Sequence, residues 1–259
     1  MIRRIRTTDK MEFERINSFL ESFAEDDRDG LKDIYKEAQE NGVPVIRKNT
    51  KELLRLLILI AGPKRILEVG TAVGYSALIM DEAQKMAAGT IGAADKAFST
   101  AAADDVCDSG CKDDSAQALE IITIELDDKR ADEAQGNFEA ILGNKDAIKL
   151  LRGDAYQVMK DMTTEEYGLF DMVFIDAAKA QYSGYFEEAM RLTKKGSIII
   201  CDNILSGGEI LESHFLVEKR NRTIHDRMRS FLKEIKDDKR IYTALLSVGD
   251  GMSVSVRLS

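Results

Sequence analysis

Between residues 65 and 201, five short apolar runs alternate with segments of helical periodicity, and this alternation constrains the fold more than any other feature of the chain. The runs are 65–69, 121–126, 147–151, 172–175 and 197–201; the helical segments are 76–86, 128–142, 156–162 and 182–192. Runs that are continuously apolar predict strands buried on both faces, which is the signature of a parallel sheet covered by helices on each side. Two further runs, 241–248 and 252–258, flank Gly249-Asp250-Gly251 and predict an antiparallel hairpin. The expected architecture is α/β: a doubly wound, mostly parallel seven-stranded sheet with a C-terminal hairpin, and ligands at the carboxyl ends of its strands. Upstream, 9–40 reads as one or two amphipathic helices broken at Gly30, and 51–61 as a helix stopped by Gly62-Pro63. The 259 residues are expected to form a single domain, 1–259, with its N-terminal helices in 1–62.

One stretch breaks the alternation. Residues 87–118 are rich in Ala, Asp, Ser and Gly and nearly lack large apolar side chains, so they cannot bury enough surface to offset the entropy of ordering. They read as a flexible insertion. Cys107 and Cys111 lie within it, and without a second cysteine pair or a nearby histidine they are expected to be loop thiols rather than zinc ligands. Three cysteines, unevenly placed, make no disulfide framework. No apolar run is long enough to cross a bilayer, and the basic start Arg3, Arg4 and Arg6 has no apolar core behind it, so no membrane association and a cytoplasmic location are expected. The formal charge of −9 argues against a protein that coats nucleic acid nonspecifically.

The segment from Ile66 through Glu68, Gly70, Thr71 and Gly74 to Ser76 is an apolar strand ending in an acidic residue, followed by a glycine turn that opens a helix. Gly70 and Gly74 allow close approach of the backbone to a ligand. Their spacing differs from the G-x-G-x-x-G that cradles a pyrophosphate. An acidic residue before the turn repels phosphate but suits an ammonium group, so the spacing points to an adenosine carrying an amino acid. Glu125 ends the next strand and suits ribose hydroxyls; Asp154 ends the third and can reach an adenine edge. Gly74 and Glu125 are 51 positions apart, against the usual separation of about 20. The excess matches the insertion. Each carboxylate alone is equally a helix cap or a solvated loop residue; three at successive strand ends favour ligand binding.

The fourth and fifth strands end in Asp176-Ala177-Ala178-Lys179 and Asp202-Asn203. Asp176, Asp202 and Asn203 form a hard, oxygen-only donor set of the kind that suits Mg²⁺. Lys179 can point into the same place as a general base, its bland alternative being an exposed lysine at a helix start. Neither His214 nor His225 belongs to this cluster; both are expected at the surface. No G-x-S-x-G elbow is present.

Taken together, the Glu68–Ser76 segment, the Asp176/Lys179 pair and Asp202-Asn203 resemble the cation-dependent, S-adenosylmethionine-dependent O-methyltransferases, which include catechol and caffeoyl-coenzyme A enzymes. The resemblance runs from about residue 43 to 258 and implies a Rossmann-like class I methyltransferase fold. Within that family the chain is similar to bacterial tRNA 5-hydroxyuridine methyltransferases, on the strength of Val43-Pro44-Val45-Ile46, the run 220–229 and the ending 249–254. The resemblance implies S-adenosylmethionine at Glu68, Gly70, Ser76, Glu125 and Asp154, with Thr71, Gly74, Ala155 and Asp176 in the same binding set. It implies metal at Asp176, Asp202 and Asn203, Lys179 and Asp176 at the reacting hydroxyl, and a homodimer. The acidic insertion departs from the family pattern.

The resemblance implies methylation of the 5-hydroxyl of 5-hydroxyuridine at the tRNA wobble position, with the anticodon loop as partner; the alternative is a small catechol-like substrate, since 5-hydroxyuracil and catechol both present two adjacent oxygens. Arg3, Arg4, Arg6, Arg47, Lys48, Lys219, Arg220, Arg222, Arg227 and Arg229 are the candidates for a phosphate-contacting rim, each cluster being as readily a solvated helix face. A catalytically idle adenosine- or RNA-binding module is the remaining alternative, and the intact Asp176, Lys179, Asp202 and Asn203 oppose it.

Overall fold

A computed structural model of the chain describes residues 7–89 and 119–259. Three helices, α1 (Thr7–Glu21), α2 (Asp29–Glu40) and α3 (Lys48–Ala61), precede the alternating region. There follow β1 (Arg65–Val69), α4 (Tyr75–Ala87), β2 (Glu120–Glu125), α5 (Asp128–Leu142), β3 (Lys149–Arg152), α6 (Ala155–Asp161), the short α7 (Thr164–Tyr167) and β4 (Phe170–Ile175). The chain continues with α8 (Tyr182–Leu192), β5 (Thr193–Cys201), α9 (Arg222–Asp237), β6 (Ile241–Leu246) and β7 (Met252–Arg257). The seven strands form one sheet in the order β3-β2-β1-β4-β5-β7-β6. The first five are parallel, and β7 pairs antiparallel with both β5 and β6.

Each central strand feeds two cores. Ile66, Met172, Phe174 and Ile200 pack on one face with α2, α3, α4 and α5; Leu67, Val69, Val173, Ile175, Ile199 and Cys201 pack on the other with α6, α8 and α9. This explains the unbroken apolar runs, because both sides of the pleat are buried. Each fully buried Leu, Ile or Phe contributes about 2 kcal/mol of transfer free energy.

Several expectations need correction. Gly30 does not break a helix: it lies in the first turn of α2, and the break falls between α1 and α2, at 22–28. Packing explains its place, since a Cβ there would stand 2.4 Å from Ile141 Cδ1 on α5. The third strand starts two residues later than expected, and β5 starts four residues earlier. The basic run read as a rim lies mostly within α9, a helix that buries His225, Met228, Phe231 and Ile235 along one stripe. The apolar side chains expected to make the first helix amphipathic, Ile16, Phe19, Leu20 and Phe23, are exposed. Of the expected insertion, Ala87 ends α4 and Ala88 and Gly89 follow it; residues 90–118, with Cys107 and Cys111, lie outside the described residues. Arg3, Arg4 and Arg6 lie outside them as well. Among the described residues, no helix is long and apolar enough to cross a membrane.

Candidate active site

Because β1 to β5 run parallel, their carboxyl ends fall on one rim, and the loops leaving them enclose a cavity of about 420 Å³. Gly70, Thr71, Ser76, Glu125, Asp154, Ala155 and Asp176 line it. The turn after β1 sits tightly against its neighbour. Gly70 has φ 103°, and a Cβ on it would come within 2.0 Å of the Asp176 carbonyl oxygen. Gly74 is not part of the lining: it caps α4 in a left-handed conformation, with Phe138 where its side chain would be.

Glu68 lies beneath the cavity rather than in its wall. It is fully buried, and its two carboxylate oxygens accept from Ser76 Oγ at 2.5 Å and Thr123 Oγ1 at 2.6 Å. Thr123 Oγ1 also lies 2.6 Å from Thr71 Oγ1. Two hydroxyls that do line the cavity, Ser76 and Thr71, therefore connect it to the buried carboxyl. Burial pushes the Glu68 carboxyl up to about 8, against the opposing hydrogen bonds from Ser76 and Thr123. The sign of the consequence follows from linkage. The native chain keeps a proton between about pH 4.5 and 8 that the unfolded chain has released, so this group's contribution to stability is lost as pH rises through that window. Glu68→Gln is expected to flatten that slope by up to about 1.4 kcal/mol per pH unit, as measured by urea unfolding of both proteins across the window. An identical slope in the two proteins would show that Glu68 is ionised in the native state.

Glu125 is held by the glycine turn. Its Oε2 accepts from the Ala72 amide at 2.8 Å, and its Oε1 from the amides of Leu126 and Asp127. Asp154 is the N-cap of α6, accepting from the Gln157 amide at 3.0 Å through Oδ1 while facing the cavity. The cap and ligand readings of this residue are thus compatible. The sequence reading did not assign Val43, Val45, Ile46, Tyr75, Gln181 and Tyr185 to the site, yet they complete its walls. The segment 43–46 leads into α3, far from β1 along the chain, and periodicity alone carries no sign that it folds over the strand ends.

At the adjoining strand ends, Asn203 Nδ2 donates to Asp176 Oδ1 at 2.7 Å, and Asp202 Oδ1 accepts from the Asn203 amide at 2.8 Å. Asn203 adopts the left-handed φ of 57°, which asparagine tolerates and which turns its side chain back toward Asp176. Burial raises the Asp176 carboxyl, with the Asn203 bond opposing. Burial and then the Asp176 charge push Asp202 up to about 7. Two neighbouring carboxylates, Asp202 buried and Asp176 in the cavity wall, with the Asn203 side chain beside them are a costly arrangement on their own and a favourable one around a divalent cation. The donor set therefore fits a hard ion such as Mg²⁺. Lys179, half-buried, lies 3.5 Å from Asp250 Oδ2, a partner the sequence reading did not assign. Asp250 in turn accepts from the Gly207 amide, tying the β6–β7 loop to the segment after β5.

The histidine expectation fails for one residue: His225 is buried, whereas His214 is partly exposed. The basic rim is also largely committed elsewhere. Arg222 donates to the carbonyls of Val217 and Phe215, Arg229 to those of Ile210 and Glu212, and Arg227 to that of Ala180. Arg47 pairs with Glu14, and Arg220 with Glu218.

The O-methyltransferase family profile matches residues 21–103 and 115–258, almost the whole chain. The chain belongs to the O-methyltransferase family. The two matched stretches leave out 104–114, inside the expected insertion. The chain is 28% identical over 208 residues to a catechol O-methyltransferase of Niastella koreensis, covering 78% of each. It is 34% identical over 114 residues to caffeoyl-CoA O-methyltransferase 1 of Zea mays, covering 43% of this chain and 44% of that one. Among solved structures, the SAH complex of an O-methyltransferase from Bacillus cereus superposes with a TM-score of 0.72 at 22% identity, covering 96% of this chain and 99% of the other. An SAH-bound methyltransferase from Podospora anserina gives 0.73 at 22% identity, covering 99% and 100%. At that identity the likeness establishes the fold, the seven-stranded mixed sheet with its antiparallel hairpin.

Proposed function

We propose that this O-methyltransferase takes its methyl group from S-adenosylmethionine. In this reading the acceptor is one hydroxyl of a small compound bearing two adjacent oxygens, of the catechol type, and Asp176, Asp202 and Asn203 hold a divalent cation. The observation that carries the proposal is the double position of Asp176, which lines the cavity and is also bonded to Asn203 in the oxygen-donor cluster. A donor in the cavity and an acceptor at the cluster are then neighbours, and positioning two bound reactants supplies much of the rate.

The residues divide the work. Thr71 and Ser76, backed by Glu68, receive the ammonium of the amino-acid moiety. Glu125 already accepts three amide hydrogens, and a carboxylate has about four acceptor positions, so one remains for a ribose hydroxyl. Asp154 keeps Oδ2 for the adenine edge, and Val45, Ile46 and Tyr185 exclude water from the cavity. When bound, a divalent cation lowers the pKa of a coordinated hydroxyl and fixes its orientation. Lys179 Nζ receives the proton in its unprotonated form, and the ammonium so formed is the species that pairs with Asp250 at 3.5 Å.

A tRNA wobble 5-hydroxyuridine offers the same pair of adjacent oxygens. We place it second because Arg222, Arg227 and Arg229, the core of the phosphate-contacting rim, spend donors on backbone carbonyls. Methyl transfer from labelled S-adenosylmethionine to a panel of 3,4-dihydroxy aromatics, alongside hydroxyuridine-bearing tRNA, separates the two. Turnover of the small diols, abolished by EDTA and restored by Mg²⁺, is the expected result. Methylation of the tRNA with none of the diols turned over would overturn the acceptor assignment.

A further inference from the structure

The chain's only two histidines converge on one carboxylate away from the cavity. His214 Nδ1 lies 2.9 Å from Asp226 Oδ1, and His225 Nδ1 lies 3.0 Å from the same oxygen. Each of the three residues offers a ring nitrogen or carboxylate oxygen within 4.8 Å of the other two. We propose that His214, His225 and Asp226 form a second metal site, selective for Zn²⁺ or a similar transition ion, which clamps the segment between β5 and α9 onto α9.

The decisive detail is the other nitrogen of His225. Its Nε2 lies 3.1 Å from the Glu212 carbonyl oxygen, which can only accept, so Nε2 carries the proton. Nδ1 faces the Asp226 carboxylate at 3.0 Å, a contact made favourable either by a second proton on the ring or by a cation held between the two. Metal-binding histidines characteristically have this arrangement, with one nitrogen on the ion and the other donating to a carbonyl that fixes the ring. His225 is buried and cannot turn away, while His214 and Asp226 are 41% and 53% exposed, leaving a face for water as a fourth ligand. Ligand bonds of about 2.0–2.1 Å put neighbouring donor atoms about 3.3 Å apart in a tetrahedral shell. Each nitrogen has to move a few tenths of an ångström away from Asp226 Oδ1, and the two nitrogens, within 4.8 Å of each other, close by at most about 1.5 Å.

The chemistry separates this site from the other. Two imidazoles and one carboxylate favour Zn²⁺, Co²⁺ or Ni²⁺ over Mg²⁺, whereas the Asp176, Asp202 and Asn203 set is oxygen only. His214 belongs to the connection that starts at Asn203 and contacts Asp250 through Gly207, and His225 and Asp226 sit in the first turns of α9. An ion here fastens the connection that leaves Asn203 onto α9, whichever acceptor is methylated.

The full chain, stripped with chelator and kept in excess Mg²⁺ to occupy the oxygen site, is titrated with Zn²⁺ alone and with Co²⁺ alone. One equivalent that Mg²⁺ does not displace is expected, with the strong visible bands of four-coordinate Co²⁺ and imidazole scattering in X-ray absorption. His214→Ala and Asp226→Asn, both at exposed side chains, should each weaken Zn²⁺ binding at least about tenfold and abolish the rise in melting temperature that Zn²⁺ gives the parent. Undiminished binding in His214→Ala overturns the site. So does sulfur in the first shell, which would assign the ion to cysteine, and so does the absence of any Zn²⁺ that resists competition by Mg²⁺.

Discussion

Asp202→Ala is expected to slow methyl transfer about a thousandfold while leaving S-adenosylmethionine binding within a few-fold of the parent. Asp202 does not line the cavity, so Thr71, Ser76, Glu125 and Asp154, the residues proposed to hold the donor, are untouched by the change. The substitution removes the buried carboxylate of the two in the oxygen cluster. Polarising an acceptor oxygen with a divalent cation is worth several kcal/mol of barrier, and each 1.36 kcal/mol is a factor of ten. Calorimetric titration with the donor and a coupled assay with a dihydroxy aromatic read the two quantities separately. The same assay in EDTA should reproduce the loss in the parent and change nothing further in the variant. An active Asp202→Ala protein, or one still sensitive to EDTA, would place the cation elsewhere.

Gly70→Ala is expected to cost roughly 3–5 kcal/mol of stability, combining backbone strain with overpacking, and to reduce turnover at least about a hundredfold. Its φ of 103° is one that L side chains rarely adopt, and the new methyl would meet the Asp176 carbonyl, a backbone atom with no rotamer to change. Relief requires β1 and β4 to part at the rim where Asp176 stands. Gly136→Ala is the control. That glycine lies inside α5 with open space around its Cα, so alanine there should raise stability by about 0.5–1 kcal/mol. Thermal unfolding of both variants, with and without the donor, tests the pair. Similar stabilities for the two proteins would mean the turn after β1 is not the constrained element described here.

Much of the site was legible because it sits where the secondary structure changes. Glu125 ends β2, Asp154 comes two residues after β3, and Asp176 and Asp202 follow β4 and β5 directly, and a parallel sheet delivers the ends of such strands to one edge. Glu68 was legible as a residue but not as a position. Its place one residue before the end of β1 looks like a cavity wall on paper, while the pleat points it inward to Ser76 and Thr123. Asp250 was legible as a hairpin-turn residue and 43–46 as part of a resemblance, but neither as part of the site, since what matters there is contact with segments distant along the chain.

The amino-acid order by itself determined the alternation of strands and helices, the α/β class, the hairpin and the acidic residues at the strand ends, because these depend on periodicity and on neighbours a few positions apart. Only the tertiary structure decided that β7 rather than β6 lies against β5, that His225 is buried beside Asp226, and that the arginines of α9 bind carbonyls instead of standing free. Those outcomes depend on which faces meet across long separations. A strand's hydrophobic pattern says that it is covered, and a helix's says which side is apolar; neither names the partner that covers it.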